Sequence, residues 1–213
     1  MKRTYRKNKI KSIIIEHVEH NLKIYLILTI IFFIGLVLGI MFINNTTVDI
    51  QKGISDSIGS FIDNIHGDYK ISKNEILCSA IKNNTISFLF VWLLGCMIIG
   101  TPVIYCFIIY KGFALGYTIS AVIASVGTGK GILFVIGALL LQNIIYIPVY
   151  FAIAVSGINL PKDIMLERKK EEIKINILRH TIFSLMLLIV IFLGALIESY
   201  VSGSIIEIMS RYI

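Results

Sequence analysis

The stretch GALLLQNIIYIPVYF, residues 137–151, decides which solvent this chain folds in. Two amides, Gln142 and Asn143, and the proline Pro148 stand inside residues 131–158, a run without a charged side chain. In water that run would be a core helix with an unexplained pair of amides. Working outward, residues 24–43, 86–110 and 181–197 are also free of charge, and 112–129 is a weaker fifth run. About 18 apolar residues are enough to cross the ~30 Å hydrocarbon layer as a helix. The whole chain is 56% hydrophobic and 15% charged, with a mean hydropathy of +0.84, where soluble domains are about a quarter charged. Run 24–43 is too long for the apolar core of a cleaved leader, and the bulky Met41, Phe42 and Ile43 stand where small residues would mark cleavage. It reads as a retained anchor. The expected fold is all-α: a polytopic integral membrane protein with about five transmembrane helices plus amphipathic helices.

The net charge of +7 would raise the question of nucleic acid in a soluble protein. Here the basic residues flank the spans, and an excess of Lys and Arg on the cytoplasmic side is the simpler account. Lys2, Arg3, Arg6, Lys7, Lys9, Lys11 and Lys23 precede the first run, and Lys162, Arg168, Lys169, Lys170, Lys174 and Arg179 fall within 159–180. Segment 44–85 mixes both signs, Lys111 and Lys130 stand alone between later spans, and the end of the chain has only Arg211. The expected single membrane domain, 1–213, therefore has a cytoplasmic basic amphipathic segment at 1–23 and span one at 24–43. An extracytoplasmic helical segment at 44–85 leads to spans two to four within 86–158. A cytoplasmic loop at 159–180, span five at 181–201 and an outer tail at 202–213 complete it. The membrane lipid is the expected environment, and no nucleic-acid role is expected.

Residues 10–22 place Ile10, Ile13, Ile14, Val18 and Leu22 near one helical face, which suits a helix lying on an anionic membrane surface. Ile50, Ile54, Ile58, Phe61, Ile62 and Ile65 recur at helical spacing in the outer segment, and Ser72-Lys73-Asn74-Glu75 matches a capping box that opens a helix toward span two. Gly100-Thr101-Pro102 interrupts the second run. Either span two continues to Tyr110 with a kink at Pro102, or it ends at Gly100 and Pro102 opens span three, a position where proline is well tolerated. The second alternative leaves the Lys111 cation near mid-membrane at a cost of about 3 kcal/mol.

Gly112, Gly116, Ser120 and Ala124 follow at four-residue spacing, and span one carries Gly35-x-x-x-Gly39. Small residues so placed let helix backbones approach closely in lipid, where the hydrophobic effect does not drive helices together. In the opening stretch, Gln142 and Asn143 cannot face lipid tails without leaving amide groups unpaired. Neighbouring residues point about 100° apart on a helix, so the two do not share one partner. Pro148 lacks the N–H that would bond the Ile144 carbonyl. These features describe a polar notch near mid-membrane, flanked by Tyr146 and Tyr150. Three uses stay open: interhelical bonds, with Thr101 or Lys111 as partners; a contact for another protein; or the lining of a substrate path.

No catalytic constellation emerges. The sequence EHVEH at 16–20 is not the HExxH zinc motif, and GTGKG at 127–131 lacks the leading glycine and trailing Ser/Thr of a phosphate loop. Cys78, Cys96 and Cys106 form no C-x-x-C pair. His66 and His180 stand alone, and Glu198 is expected at the interface rather than buried. Neither an enzyme, a metal site nor a cofactor is expected.

The blocks GTPVIYCFIIYKGFALGYT (100–118) and LLLQNIIYIPVY (139–150) resemble those of the stage II sporulation protein M family. The matching positions are Gly100, Pro102, Lys111, Gly112, Gly116, Gln142, Asn143 and Pro148, and Leu141 departs from the proline common in that family before Gln-Asn. The likeness extends over essentially the whole chain. It implies a non-enzymatic membrane scaffold that assembles with stage II sporulation proteins D and P, which cut peptidoglycan at the septum so that the mother-cell membrane can engulf the forespore. A small transporter or permease subunit, with Lys111, Gln142 and Asn143 lining a path, is the alternative expectation. Its odd number of spans and lack of an evident internal repeat count against it.

Overall fold

The computed structural model describes residues 18–47, 50–54, 56–57, 73–97, 99–166 and 170–202. The surface helix expected over 10–22, the helix expected over 50–65 and the capping box at Ser72 lie wholly or partly outside these residues. Every regular element described is helical: α1 (Leu22–Asn44), α2 (Lys73–Gly95), α3 (Gly100–Val126), α4 (Thr128–Phe134), α5 (Leu141–Leu166) and α6 (Lys170–Ile197). A π-turn, Val135–Leu140, joins α4 to α5 in one continuous rod, and a second, Glu198–Ser202, prolongs α6. Five of the resulting rods are long and apolar enough to cross a membrane. The chain is a multi-pass, all-α membrane protein.

The rods run alternately up and down. One end of the bundle holds the start of α1, the α2–α3 turn and the α5–α6 connection; we call it the Asn21 end. The Asn44 end holds the close of α1, the start of α2 and the turn at Gly127. Large apolar side chains such as Leu26, Ile30, Phe33, Leu89, Ile144, Leu185 and Ile189 are exposed along the rods. In water they would form an aggregating surface; here they face lipid tails. Hydroxyls within the rods bond their own helix, Thr29 to the Tyr25 carbonyl at 2.8 Å and Thr118 to the Ala114 carbonyl at 2.8 Å. That satisfies them where no water is available.

The interior is built by Leu28 and Phe32 of α1, Phe88 and Val91 of α2, Ile104 and Ile108 of α3, Ile153 and Ile158 of α5, and Ile191 of α6. The α1 helix packs mainly on α3, whereas α2 touches α3, α5 and α6. At the Asn44 end, Gln51 donates to the Ile43 carbonyl at 3.0 Å, so the described part of segment 50–57 folds back over the close of α1.

Two sequence expectations are decided by the turn between α2 and α3. The second run does not continue to Tyr110: the helix stops at Gly95, and Gly100 opens α3. Gly100 is buried so tightly that a Cβ there would overlap the Leu94 carbonyl. Pro102 falls in the first turn of α3, where its missing N–H costs no helical bond. Lys111 therefore does not stand between two spans, as the charge count placed it; it lies well inside α3.

Candidate functional site

The position of Lys111 gives the site its depth. It is eleven residues into the 27-residue α3, about 16 Å from one helix end and about 22 Å from the other at 1.5 Å per residue. A ~30 Å hydrocarbon layer centred on this helix leaves its stem far from either water interface.

Three helices supply what the ammonium meets. Its Nζ donates to Ser87 Oγ of α2 at 3.3 Å. It lies 4.5 Å from the centre of the Tyr150 ring of α5 and 5.4 Å from that of Phe107 on its own helix. Aromatic faces attract a cation more strongly when water is excluded, by about 2 kcal/mol or more. The Tyr150 hydroxyl donates in turn to the Asn84 side-chain oxygen at 3.0 Å and lies 3.3 Å from its backbone carbonyl. The cation thus holds α2, α3 and α5 together through one tyrosine.

Asn84, Lys111, Asn143, Tyr146 and Tyr150 border a common cavity of about 60 Å³. Asn143 satisfies its amide within its own rod, donating to the Leu139 carbonyl in the π-turn at 2.7 Å. Tyr146 extends the cluster toward the Asn44 end by donating to Glu198 Oε2 at 2.8 Å. Next to it Ser199, fully buried, donates to the Lys73 carbonyl at 2.5 Å and anchors the start of α2. The two π-turns lie against each other here; such wide turns often mark functional positions.

The other sequence-derived residues fall in distinct places. Gly112 and Gly116 face α1: a Cβ on either would overlap the carbonyl oxygens of Phe32 and Leu36 respectively. The relation is reciprocal, since a Cβ on Gly35 or Gly39 would overlap the carbonyls of Ile109 and Phe113. Ser120 closes this seam, 3.4 Å from the Asn44 side-chain oxygen. Ala124 is exposed and lies outside it, because α1 ends at Asn44. The chain's own first helix thus fills the small-residue face. Pro148 is exposed, on a different side of the rod from Asn143. Gln142 is half-buried and makes no hydrogen bond to any described residue. The structure therefore separates the notch: Asn143 joins Lys111 inside, while Gln142 and Pro148 do not line that cavity.

Sequence reasoning missed Asn84 and Ser87, and it named Glu198 without its partner Tyr146. Asn84 was placed in the outer segment because the apolar run begins at Ile86. The capping box at 72–75 was the available signal, since a helix opening there brings Asn84 a full three turns inside. His180 is not isolated: it is only 3% exposed and meets Ser156 Oγ at 2.7 Å through Nδ1.

The motif blocks read at 100–118 and 139–150 occupy the two helices that face each other across this cluster, α3 and α5. The family profile described as "Stage II sporulation protein M" matches residues 28–203. The chain belongs to the stage II sporulation protein M family. That match spans all five rods and so covers the lysine cluster and the glycine seam alike. No curated protein and no solved structure matches the chain.

Proposed function

We propose that this protein is a non-enzymatic scaffold of the engulfment machinery, assembling the peptidoglycan-degrading stage II sporulation proteins D and P at the sporulation septum. Membership of a sporulation family supports the setting. The observation that carries the scaffold reading is Gln142. Gln142 is partly buried, 14 residues into the rod that begins at Thr128, about 21 Å from that end, without a hydrogen-bond partner among the described residues. An amide at that depth in lipid gains most by bonding a polar group on a helix from another protein. A partner anchored by one span supplies such a helix, and the exposed Ile144 and Pro148 provide apolar surface beside it.

The charge distribution supports a cytoplasmic N-terminus and an extracytoplasmic C-terminus. The Asn44 end then faces the wall on which proteins D and P act. The cavity beside Lys111, about 60 Å³, has room for only one or a few water molecules. Its size favours a closed structural cluster over a substrate path.

Microscopy of membrane-stained sporulating cells that lack the gene tests the proposal. Septa that form but stay flat or bulge, with no migration of the mother-cell membrane, are the expected result. Normal engulfment would overturn it, and substrate flux in vesicles reconstituted with the pure protein would put a transporter in its place.

A further inference from the structure

At the Asn21 end, away from the lysine cluster, α1, α5 and α6 enclose a polar pocket of about 380 Å³. Two fixed pairs form much of its wall. Asn159 donates to the Asn21 side-chain oxygen at 2.6 Å, and Ser156 meets His180 Nδ1 at 2.7 Å. Asn21 and His180 are almost completely buried, so the polar wall belongs to the folded bundle rather than to loose surface side chains. Two opposite charges also line the pocket, Asp163 of α5 and Arg179 of α6. Both are exposed, and neither is ion-paired with the other or with any described residue. Opposite charges that share a pocket without closing on each other are arranged for a ligand that carries both signs.

The surroundings indicate where such a ligand comes from. Leu22, Leu178 and Ile182 are exposed apolar side chains at the same level of the bundle, one position and about 100° around the helix from Asn21, Arg179 and Phe183. The rods turn from apolar to charged at this level, with Lys162 beside the pocket and Glu171, Glu172 and Lys174 beyond it. The pocket therefore lies at headgroup depth, where the exposed apolar surface of the same helices meets acyl chains.

We propose that this pocket binds a zwitterionic phospholipid headgroup of the phosphoethanolamine type. Arg179 takes the phosphate through its planar fork of donors, Asp163 takes the ammonium, and the chains lie along the Leu22, Leu178 and Ile182 surface. The assignment goes beyond the scaffold reading and does not depend on it.

Native mass spectrometry of the full-length protein, released from detergent with equimolar phosphatidylethanolamine and phosphatidylglycerol, tests it. The wild type is expected to retain phosphatidylethanolamine about tenfold better, as one charge-assisted hydrogen bond implies. Asp163→Asn abolishes that preference by weakening phosphatidylethanolamine alone. Arg179→Gln weakens both lipids. Because both side chains are exposed, each variant should keep the wild-type melting temperature, which separates lost binding from lost folding. Equal retention by the wild type, or a preference that survives Asp163→Asn, overturns the proposal. Glycerophosphoethanolamine, which lacks acyl chains, is expected to compete weakly. If it binds as tightly as the lipid, the ligand is a soluble zwitterion and the lipid assignment fails.

Discussion

The two sides of α3 are held by opposite means. Toward α1, Gly112 and Gly116 bring backbone against backbone, and the seam consists of carbonyls and glycines in reciprocal contact. Toward α2 and α5, the adjacent Lys111 projects a cation into a cage of Ser87, Tyr150 and Phe107. One step along the chain turns the side chain by about 100°, so consecutive residues serve different neighbours. The glycine seam draws its strength from having nothing in the way, and any added atom injures it. The lysine cage draws its strength from mutual satisfaction of polar groups, so that loss of one neutral partner leaves another unpaired, whereas loss of the cation also removes its own burial cost. Shape holds the first; chemistry holds the second.

The largest effect is expected where the first seam is filled. Gly116→Leu places a side chain on the Leu36 carbonyl, and overpacking of this kind costs about 3 kcal/mol or more. A cysteine pair placed across α1 and α3 should then lose its crosslink, and the protein in detergent should melt at a markedly lower temperature. If Gly116→Leu crosslinks and melts like the wild type, the close approach of these helices is wrong.

Tyr146→Phe comes next. It leaves Glu198 without its donor inside the bundle, which costs about 1–3 kcal/mol. Tyr150→Phe removes one neutral hydrogen bond to Asn84 but keeps the ring beneath Lys111, so a loss of about 1 kcal/mol is expected. Thermal unfolding of the two variants side by side checks their order. A larger loss for Tyr150→Phe would mean that the hydroxyl, rather than the ring, carries the cage.

Lys111→Met sharpens the contrast further. It removes a cation that costs about 3 kcal/mol to insert and also removes the attraction of two rings, about 2 kcal/mol, plus one hydrogen bond. These terms nearly cancel, so stability should move by less than about 1 kcal/mol. The smallest effect belongs to Ala124→Leu, one turn beyond the end of the glycine seam. Its exposure predicts a change within about 0.5 kcal/mol, and a melting temperature matching the wild type checks it.

Much of the fold was legible because lipid imposes a coarse rule: a spanning helix needs a long, largely apolar stretch, and the number of spans could be read from such stretches, although runs 86–110 and 112–129 do not coincide with α2 and α3. The break between α2 and α3 was legible only as one of two alternatives, through Gly100-Thr101-Pro102. Residues 96–99, Cys-Met-Ile-Ile, are as apolar as the helices on either side, so hydropathy left the choice open, and the crowding of Gly100 against Leu94 goes with the turn that decides it. The glycine ladder could be read from spacing, and Gly35-x-x-x-Gly39 was its visible counterpart. Ala124 was overcounted because the length of α1 relative to α3 is a property of their register. The meeting of Asn84, Lys111 and Tyr150 depends on the register of three helices, which no local pattern encodes. Gln142 and Asn143 looked like one feature because they are adjacent, and a helix sends adjacent residues to different places.

The central claim is that Gln142 faces a partner while Lys111 and Asn143 serve the protein's own bundle. Affinity purification of tagged wild type and of Gln142→Leu from sporulating cells, with quantitation of proteins D and P, tests it most directly. The account predicts that Gln142→Leu accumulates in the membrane at the wild-type level but brings down far less of both partners. Full recovery of D and P with Gln142→Leu would contradict it.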